Sequence, residues 1–389
     1  MPKTVLYASI GPELALFDID VAAATLVKCG AVTLPANIQY AWPHPSTRYF
    51  YVVSSNGGPG VIPGDTHLAS AFRVDPGSGT LAPHGAPQAL PSRPIHCCVD
   101  ATGAYLLTAF NFPSAVTAHR INRDGTLGDL VRQPATPDSG IFAHQIRTTP
   151  SNQSAILVTR GNNAEGGKPE DPGARKVFGF SSGVLTNQAS IAPGTGLGFG
   201  PRHLAFHPRQ PWVFVSVERQ NQLYVYKLQP DNFLAPDPMF IKTTLADPGD
   251  VRPAQAAGPI HLHPTGRFVY VTNRNSGGVD FEGTKVSNGG ENNIAVFSID
   301  QATGEPTLLQ HSAARAIHLR TFSIDPSGRL LVTASILPMA VRDGHTVTTL
   351  AAGLSVYRIG SDGTLDLVRK YDVDTGKFMQ FWSGMVTLA

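Results

Sequence analysis

Sixteen residues separate His144 from Arg160 and Arg202 from Glu218, and the same step leads from Gly258 to Arg274 and from Arg320 to Ile336. Four arginines, a histidine and a carboxylate at such regular spacing describe a site that holds a small anion and moves a proton. Arginine suits the first task because its planar fork pairs bidentately with carboxylate or phosphate. Histidine and glutamate suit the second, and a carboxylate set among arginines stays ionised at neutral pH. The plainer reading is structural: the arginines tie neighbouring units together through Glu218, and His144 is a satisfied strand-end histidine. No nucleophile elbow of the G-x-S-x-G type, a strand turning sharply into a helix, is read in the chain. Cys97 and Cys98 have no argued histidine partner that would activate a thiolate.

For that spacing to matter, the elements carrying it must repeat, and they do. An alternating strand with an aromatic or His near its end recurs seven times: ALFDID (15–20), SAFRVD (70–75), TAHRIN (117–122), KVFGFS (176–181), YVYKLQ (224–229), AVFSID (295–300) and SVYRIG (355–360). Glycine turns follow, as in DGTL at 124–127 and 362–365, where Gly reaches the left-handed region and a further strand begins. Most repeats are preceded by a strand, a Pro or Gly turn and another apolar strand, as in PIHLHPTGRFVYVTNR (259–274). Six repeats have that anchor turn, at Pro45, Ala101, Pro150, Pro208, Pro264 and Pro326. The first repeat lacks one, and the unassigned apolar stretch 381–389 is expected to supply its innermost strand. Four strands per repeat and seven repeats predict an all-β, seven-bladed β-propeller over residues 1–389 as one domain, closed by the C-terminal strand joining the N-terminal blade. Two stacked β-sandwiches would not produce such registered repetition.

With each anchor residue as zero, positions −6 and +10 are expected to face each other across a hairpin and emerge on one face of the disk. Position +10 reads Ser55, Asn111, Arg160, Glu218, Arg274 and Ile336; position −6 reads Gln39, Ile95, His144, Arg202, Gly258 and Arg320. Both series become ionisable in consecutive blades, so the charges gather at one end of the channel, where low-dielectric walls focus positive potential. His203, His207, His261 and His263 lie beside anchor turns and read as packing or turn residues, His203 also being a candidate substrate contact.

Composition sets the outer limits. A net charge of +2 with 15% charged residues offers no general attraction to nucleic acid or membrane, and 42% hydrophobic residues suffice for a large core. The start, MPKTVLYASIGPELALFDID, lacks the apolar run of a signal peptide, and no stretch reaches transmembrane length. Three cysteines neither build a disulfide framework nor show zinc spacing, so reduced, mostly buried thiols in a cytoplasmic protein are expected. No cofactor or metal is implied, and a monomer or weak homo-oligomer is expected.

At these residues the chain resembles the seven-bladed lactonases, which include propeller-type 6-phosphogluconolactonases and fungal 3-carboxy-cis,cis-muconate cyclases. The resemblance spans nearly the whole chain and is strongest in GPRHLAFHP (200–208), SVERQNQLYVY (216–226), HPTGRFVYVTNRNS (263–276), NNIAVFSIDQATG (292–304) and RTFSIDPSGRLL (320–331). It implies His144, Arg202, Glu218 and Arg274 as the catalytic set; Arg160, Arg320, His203 and Asn111 are expected as substrate contacts from the sequence itself, not from the resemblance. The implied chemistry is hydrolysis of a small anionic lactone, with Glu218 or His144 as base, or the reverse closure of a muconate-type acid in the same site. A non-catalytic binding scaffold is the alternative from outside enzymology. IFAHQIRTTP, TRGNNAEGG and TASIL depart from the family's usual segments, and a long loop, 275–293, is placed where it could cover the site.

Overall fold

Inner-strand segments such as PRHLAF and outer ones such as YVYKLQ alternate with tight polar turns, and in the structure each such run forms one sheet. A computed structural model describes residues 3–59, 62–230 and 233–388. Met1, Pro2 and Ala389, part of the N-terminal and C-terminal readings above, lie outside the described residues. Among those described, no helix is assigned. Seven sheets, each built on four antiparallel strands, follow one another along the chain. Blade 5 is representative, with strands Pro201–Phe206, Trp212–Val217, Gln222–Lys227 and Phe240–Thr243 in that order.

Blade 1 takes Thr4–Ile10, Glu13–Asp20 and Thr25–Thr33 from the N-terminus, and its fourth strand is the C-terminal Ser383–Thr387, antiparallel to Thr4–Ile10. Trp382, Val386 and Leu388 thereby pack with Val5 and Tyr7 in one buried cluster. The expected closing strand is therefore present, and it joins the chain ends through both hydrogen bonds and core. The rest of the core likewise lies between neighbouring blades: Leu107 and Val116 of blade 3 pack with Leu157 and Phe178 of blade 4.

The glycine turns have a second duty. Gly125 and Gly363 sit at φ +87° and +88°, and a Cβ there would come within 2.4 Å of the Tyr49 ring and 2.3 Å of the Phe268 ring of the preceding blade. Their carbonyls accept from the buried hydroxyls of Tyr51 and Tyr270 at 2.9 and 3.0 Å, so each turn is bolted to its neighbour. His207 and His263 act similarly, their Nε2 atoms lying 2.9 Å from the carbonyl oxygens of Gly266 and Gly328 in the next blade's anchor turn.

Two features differ from expectation. The stretch 275–293 is not a plain loop but carries a hairpin, Gly278–Phe281 with Thr284–Ser287. A second hairpin from blade 7, Met339–Asp343 with Thr346–Leu350, joins it through the parallel pair Val286 and Ala340, making a small sheet across two blades. Second, position −6 does not pair with +10. In all six anchored blades the inner strand shifts register there by a β-bulge, so that Gln39, Ile95, His144, Arg202, Gly258 and Arg320 fall outside the ladder. A bulged residue is released from the strict inward and outward alternation and its side chain can be re-aimed. In blade 6 the bulge admits only glycine, because a Cβ at Gly258 would lie 2.1 Å from the Thr272 hydroxyl.

Candidate active site at the channel mouth

The second strands of blades 4 and 5 end at Thr159 and Val217, so Arg160 and Glu218 are the first residues beyond them. Their backbone N–H groups donate to Phe142 and Gly200 carbonyls at 2.9 and 2.7 Å, which holds both at the rim. Arg274 occupies the same position in blade 6, near the end of Phe268–Asn275. From these three blades and the bulge of blade 5, four side chains converge. Glu218 Oε1 lies 3.3 Å from Arg160 Nη1 and 3.2 Å from Arg274 Nη2, and Oε2 lies 3.1 Å from Arg202 Nε. The last contact is an ion pair without hydrogen-bond alignment, since both atoms are buried and lack a hydrogen-bond partner.

This cluster sets the electrostatics. Burial alone would push the Glu218 carboxyl up, but Arg274, Arg160 and Arg202 outweigh it and hold it at about 2. Arg202, only 1% exposed, is pulled down to about 9 by burial and by Arg274, against the pull of Glu218. His144 is lowered well below the ordinary histidine range by burial first and then by Arg202, Arg320, Arg160 and Arg274. Its imidazole is therefore neutral at pH 7.

All of these groups but Arg202 border a cavity of about 1100 Å³. Its lining includes the expected Asn111, His144, Arg160, Glu218, Arg274 and Arg320. Arg202 and His203 do not line it. They stand beneath, where Arg202 Nη1 donates to the His203 ring at 3.2 Å and the His203 ring meets His144 edge-on at 5.1 Å between centroids. Arg202 thus reaches the cavity only through Glu218, and the His203 ring, expected to contact substrate, is placed against Arg202 and His144 rather than on the cavity wall. Nor does the hairpin after Arg274 wall this cavity; Pro59, Ile62 and Pro63 of blade 2 and residues 162–171 of blade 4 do so. A side cavity of about 380 Å³, reaching Arg219, Gln255 and Ser276, shares Arg160, Glu218 and Arg274 with the main one.

Three further lining residues, Arg93, Phe142 and His318, occupy position −8 in their blades. Phe142 lies under the Arg160 guanidinium, 3.8 Å from ring centroid to Cζ, and alongside His144. His318 Nε2 accepts from Arg274 Nη1 at 2.9 Å, while burial and then Arg274, Arg320 and Arg202 lower its pKa well below the ordinary range. The register that found positions −6 and +10 would have found these too, one pleat earlier. Their backbones gave no warning, since Phe142 and His318 both adopt φ +58° without being glycine.

The string GFSSG at 179–183 does match G-x-S-x-G, but it forms the turn of the outer hairpin Ala174–Ser181 with Val184–Ile191 and leads into no helix. Cys97 and Cys98 are buried free thiols and Cys29 an exposed one. Burial raises the Cys97 and Cys98 pKa values, so neither is poised as a nucleophile. Among the described residues no group of three or more His, Cys, Asp or Glu side chains is arranged to hold a metal ion, and no helix is long and apolar enough to cross a membrane.

Residues 7–351 match the family described as Lactonase, 7-bladed beta-propeller. A protein named 6-phosphogluconolactonase from Bacillus subtilis (strain 168) is 26% identical over 323 residues, covering 82% of this chain and 83% of its own. Another of that name, from Yersinia enterocolitica, is 26% identical over 352 residues, covering 89% and 87%. Among solved structures, a periplasmic gluconolactonase from Pseudomonas aeruginosa superposes with a TM-score of 0.75 at 19% identity, covering 99% of each chain. A protein from Lactobacillus plantarum gives 0.72 at 22%, again covering 99% of each.

Proposed function

Because the chain belongs to the seven-bladed β-propeller lactonase family, we propose that it hydrolyses a small anionic lactone at the arginine-lined mouth of its channel. The observation that carries this reading is the meeting of Arg160, Arg202 and Arg274 on Glu218 beside a neutral His144. The fold alone would be compatible with many activities.

The residues divide the work. Arg160 and Arg274 face the cavity and polarise the lactone carbonyl, then stabilise the oxyanion when water adds, an interaction that grows in the transition state. His144 takes the proton from the attacking water and returns it to the ring oxygen as the acyl C–O bond breaks, leaving a hydroxy acid. Glu218 is a poor candidate for that base. A carboxyl held at about 2 has little affinity for a proton, and its Oε1 is already shared by two guanidiniums. Its task is to keep three cations assembled, two of them buried, with Arg202 and His203 bracing it from below. A cytoplasmic location fits the three free thiols.

The test is a pH-stat screen of sugar-acid, phosphosugar and muconate-derived lactones, with and without a chelator. Turnover of anionic lactones above the neutral sugar lactones is expected, unchanged by chelation. No turnover of any lactone above the heat-inactivated protein would refute the reading.

A further inference from the structure

Two more guanidiniums line the cavity, and among the described residues neither meets a carboxylate. Arg93 immediately precedes the inner strand Pro94–Val99 of blade 3, and its Nε donates to Gln39 Oε1 of blade 2 at 2.9 Å. Arg320 is the bulged residue of Leu319–Ile324 in blade 7. Between them stands Phe381, just before the closing strand of blade 1, with the Arg93 and Arg320 guanidinium carbons 5.6 and 4.2 Å from its ring centroid. Phe381 and Arg93 are buried, at 8% and 6% exposure. Among the described residues neither guanidinium forms an ion pair, and the Arg320 side chain makes no hydrogen bond.

The order of blades separates this group from the Glu218 cluster. Arg160, Glu218 and Arg274 belong to blades 4, 5 and 6, whereas Arg93, Phe381 and Arg320 belong to blades 3, 1 and 7. The two groups thus line one cavity from different blades. They also differ in charge balance: Glu218 forms ion pairs with Arg160, Arg202 and Arg274, whereas among the described residues Arg93 and Arg320 have none, and the favourable pull of Glu218 on Arg320 is outweighed by burial and the neighbouring arginines. Holding a cation away from water without a counter-ion is unfavourable. Phe381 softens this for both through its ring face, while Arg202, Arg274 and Arg93 add to the repulsion on Arg320. Such a pair has an arrangement complementary to an anion that enters from the cavity.

We propose that Arg93, Arg320 and Phe381 form a separate anion subsite, which holds a phosphate or carboxylate substituent of the lactone in the same cavity as the reacting carbonyl. This rests on the lactonase reading for the identity of the rest of the ligand, but the subsite is built from its own residues. Arg160 and Arg274 are then free to serve the ring carbonyl, and Arg93 and Arg320 set the preference for charged over neutral lactones. Phe381 fixes the spacing of the two forks.

The experiment combines calorimetric titration of inorganic phosphate and of acetate with steady-state hydrolysis of a phosphorylated sugar lactone and its neutral counterpart. Wild type is compared with Arg93→Met and Arg320→Met. Each substitution is expected to weaken anion binding about tenfold or more, the loss of one charged hydrogen-bonding partner, and to reduce the ratio of kcat/KM for charged over neutral lactone by a similar factor. A larger loss for phosphate than for acetate identifies a phosphate pocket and the reverse a carboxylate pocket, both as proposed. Arg93→Lys and Arg320→Lys, which keep the charge but not the fork, carry the comparison should a methionine variant fail to fold. Anion affinities within twofold of wild type in both positions, with an unchanged ratio, would overturn the subsite while leaving the lactonase reading intact. Phosphate binding through these arginines in a protein that hydrolyses no lactone would do the opposite.

Discussion

Replacing Glu218 by Gln preserves its size and removes its charge, which isolates what the carboxylate does for the three arginines. In the native protein Arg160, Arg202 and Arg274 lie 3.1 to 3.3 Å from its two oxygens. An amide would leave them without a counter-charge, Arg202 almost completely buried. Breaking a buried ion network by removing one partner costs about 3–5 kcal/mol. The depression of the Glu218 carboxyl from 4.5 to about 2 gives an independent figure of about 3 kcal/mol at neutral pH. With an unfolding entropy of about 2.1 cal/mol/K per residue and 389 residues, the melting temperature should fall by about 4–6 °C. Differential scanning calorimetry at pH 7 checks this, and added phosphate should recover part of the loss by occupying the vacated charge. The sign with pH follows from the lowered carboxyl: its contribution is complete above pH 4.5 and is lost as pH falls toward 2, so the two proteins should converge in acid. Equal melting temperatures at pH 7 would show that Glu218 does not hold the cluster together, and the assignment of His144 as base would lose its main support.

Two other outcomes are expected. His144→Ala should reduce kcat/KM by about 10²–10⁴, and because burial and four arginines lower the wild-type imidazole, the acid limb of the wild-type profile should lie below pH 6.5, with activity lost as pH falls through the depressed value; stopped-time assays from pH 5 to 8 decide it, and a limb above 6.5 would speak against His144. Deleting 381–389 removes the strand paired with Thr4–Ile10 along with the buried Trp382, Val386 and Leu388, so it should abolish a cooperative melt and expose an aggregation-prone edge, as size-exclusion chromatography would show.

The fold was readable because a propeller repeats its errors as well as its rules. The premise that −6 and +10 are paired was wrong in every anchored blade, since a bulge inserts a residue at −6. Yet the bulge recurs at the same place, so the comparison between blades kept its register and His144, Arg160, Glu218, Arg274 and Arg320 were brought together correctly. A bulge at His144 or Arg202 has no residue signature, and a left-handed backbone at Phe142 or His318 is dictated by tertiary contacts. The small sheet over blades 6 and 7 was hidden for a related reason. DFEGTKVS and VRDGHTVTTL each contain a turn glycine between short alternating runs, but only the pairing of Val286 with Ala340, from segments more than fifty residues apart, makes them one sheet.

Burial and the arginines act on the two candidate bases with different consequences. The arginines, against burial, keep Glu218 ionised but make it too weak a base to be useful, whereas burial first and then the arginines keep His144 unprotonated at neutral pH at the expense of its proton affinity. Neither residue is a strong base, so the proposed reaction cannot depend chiefly on proton abstraction. It depends on Arg160 and Arg274 meeting the charge that appears on the carbonyl oxygen, in a buried setting where guanidiniums are already oriented and need no reorganisation. An activated cyclic ester, in which attack rather than expulsion of a poor leaving group governs the barrier, is the kind of substrate for which strong oxyanion stabilisation and a weak base suffice. The cluster's composition therefore argues for lactones over amides more directly than the fold does.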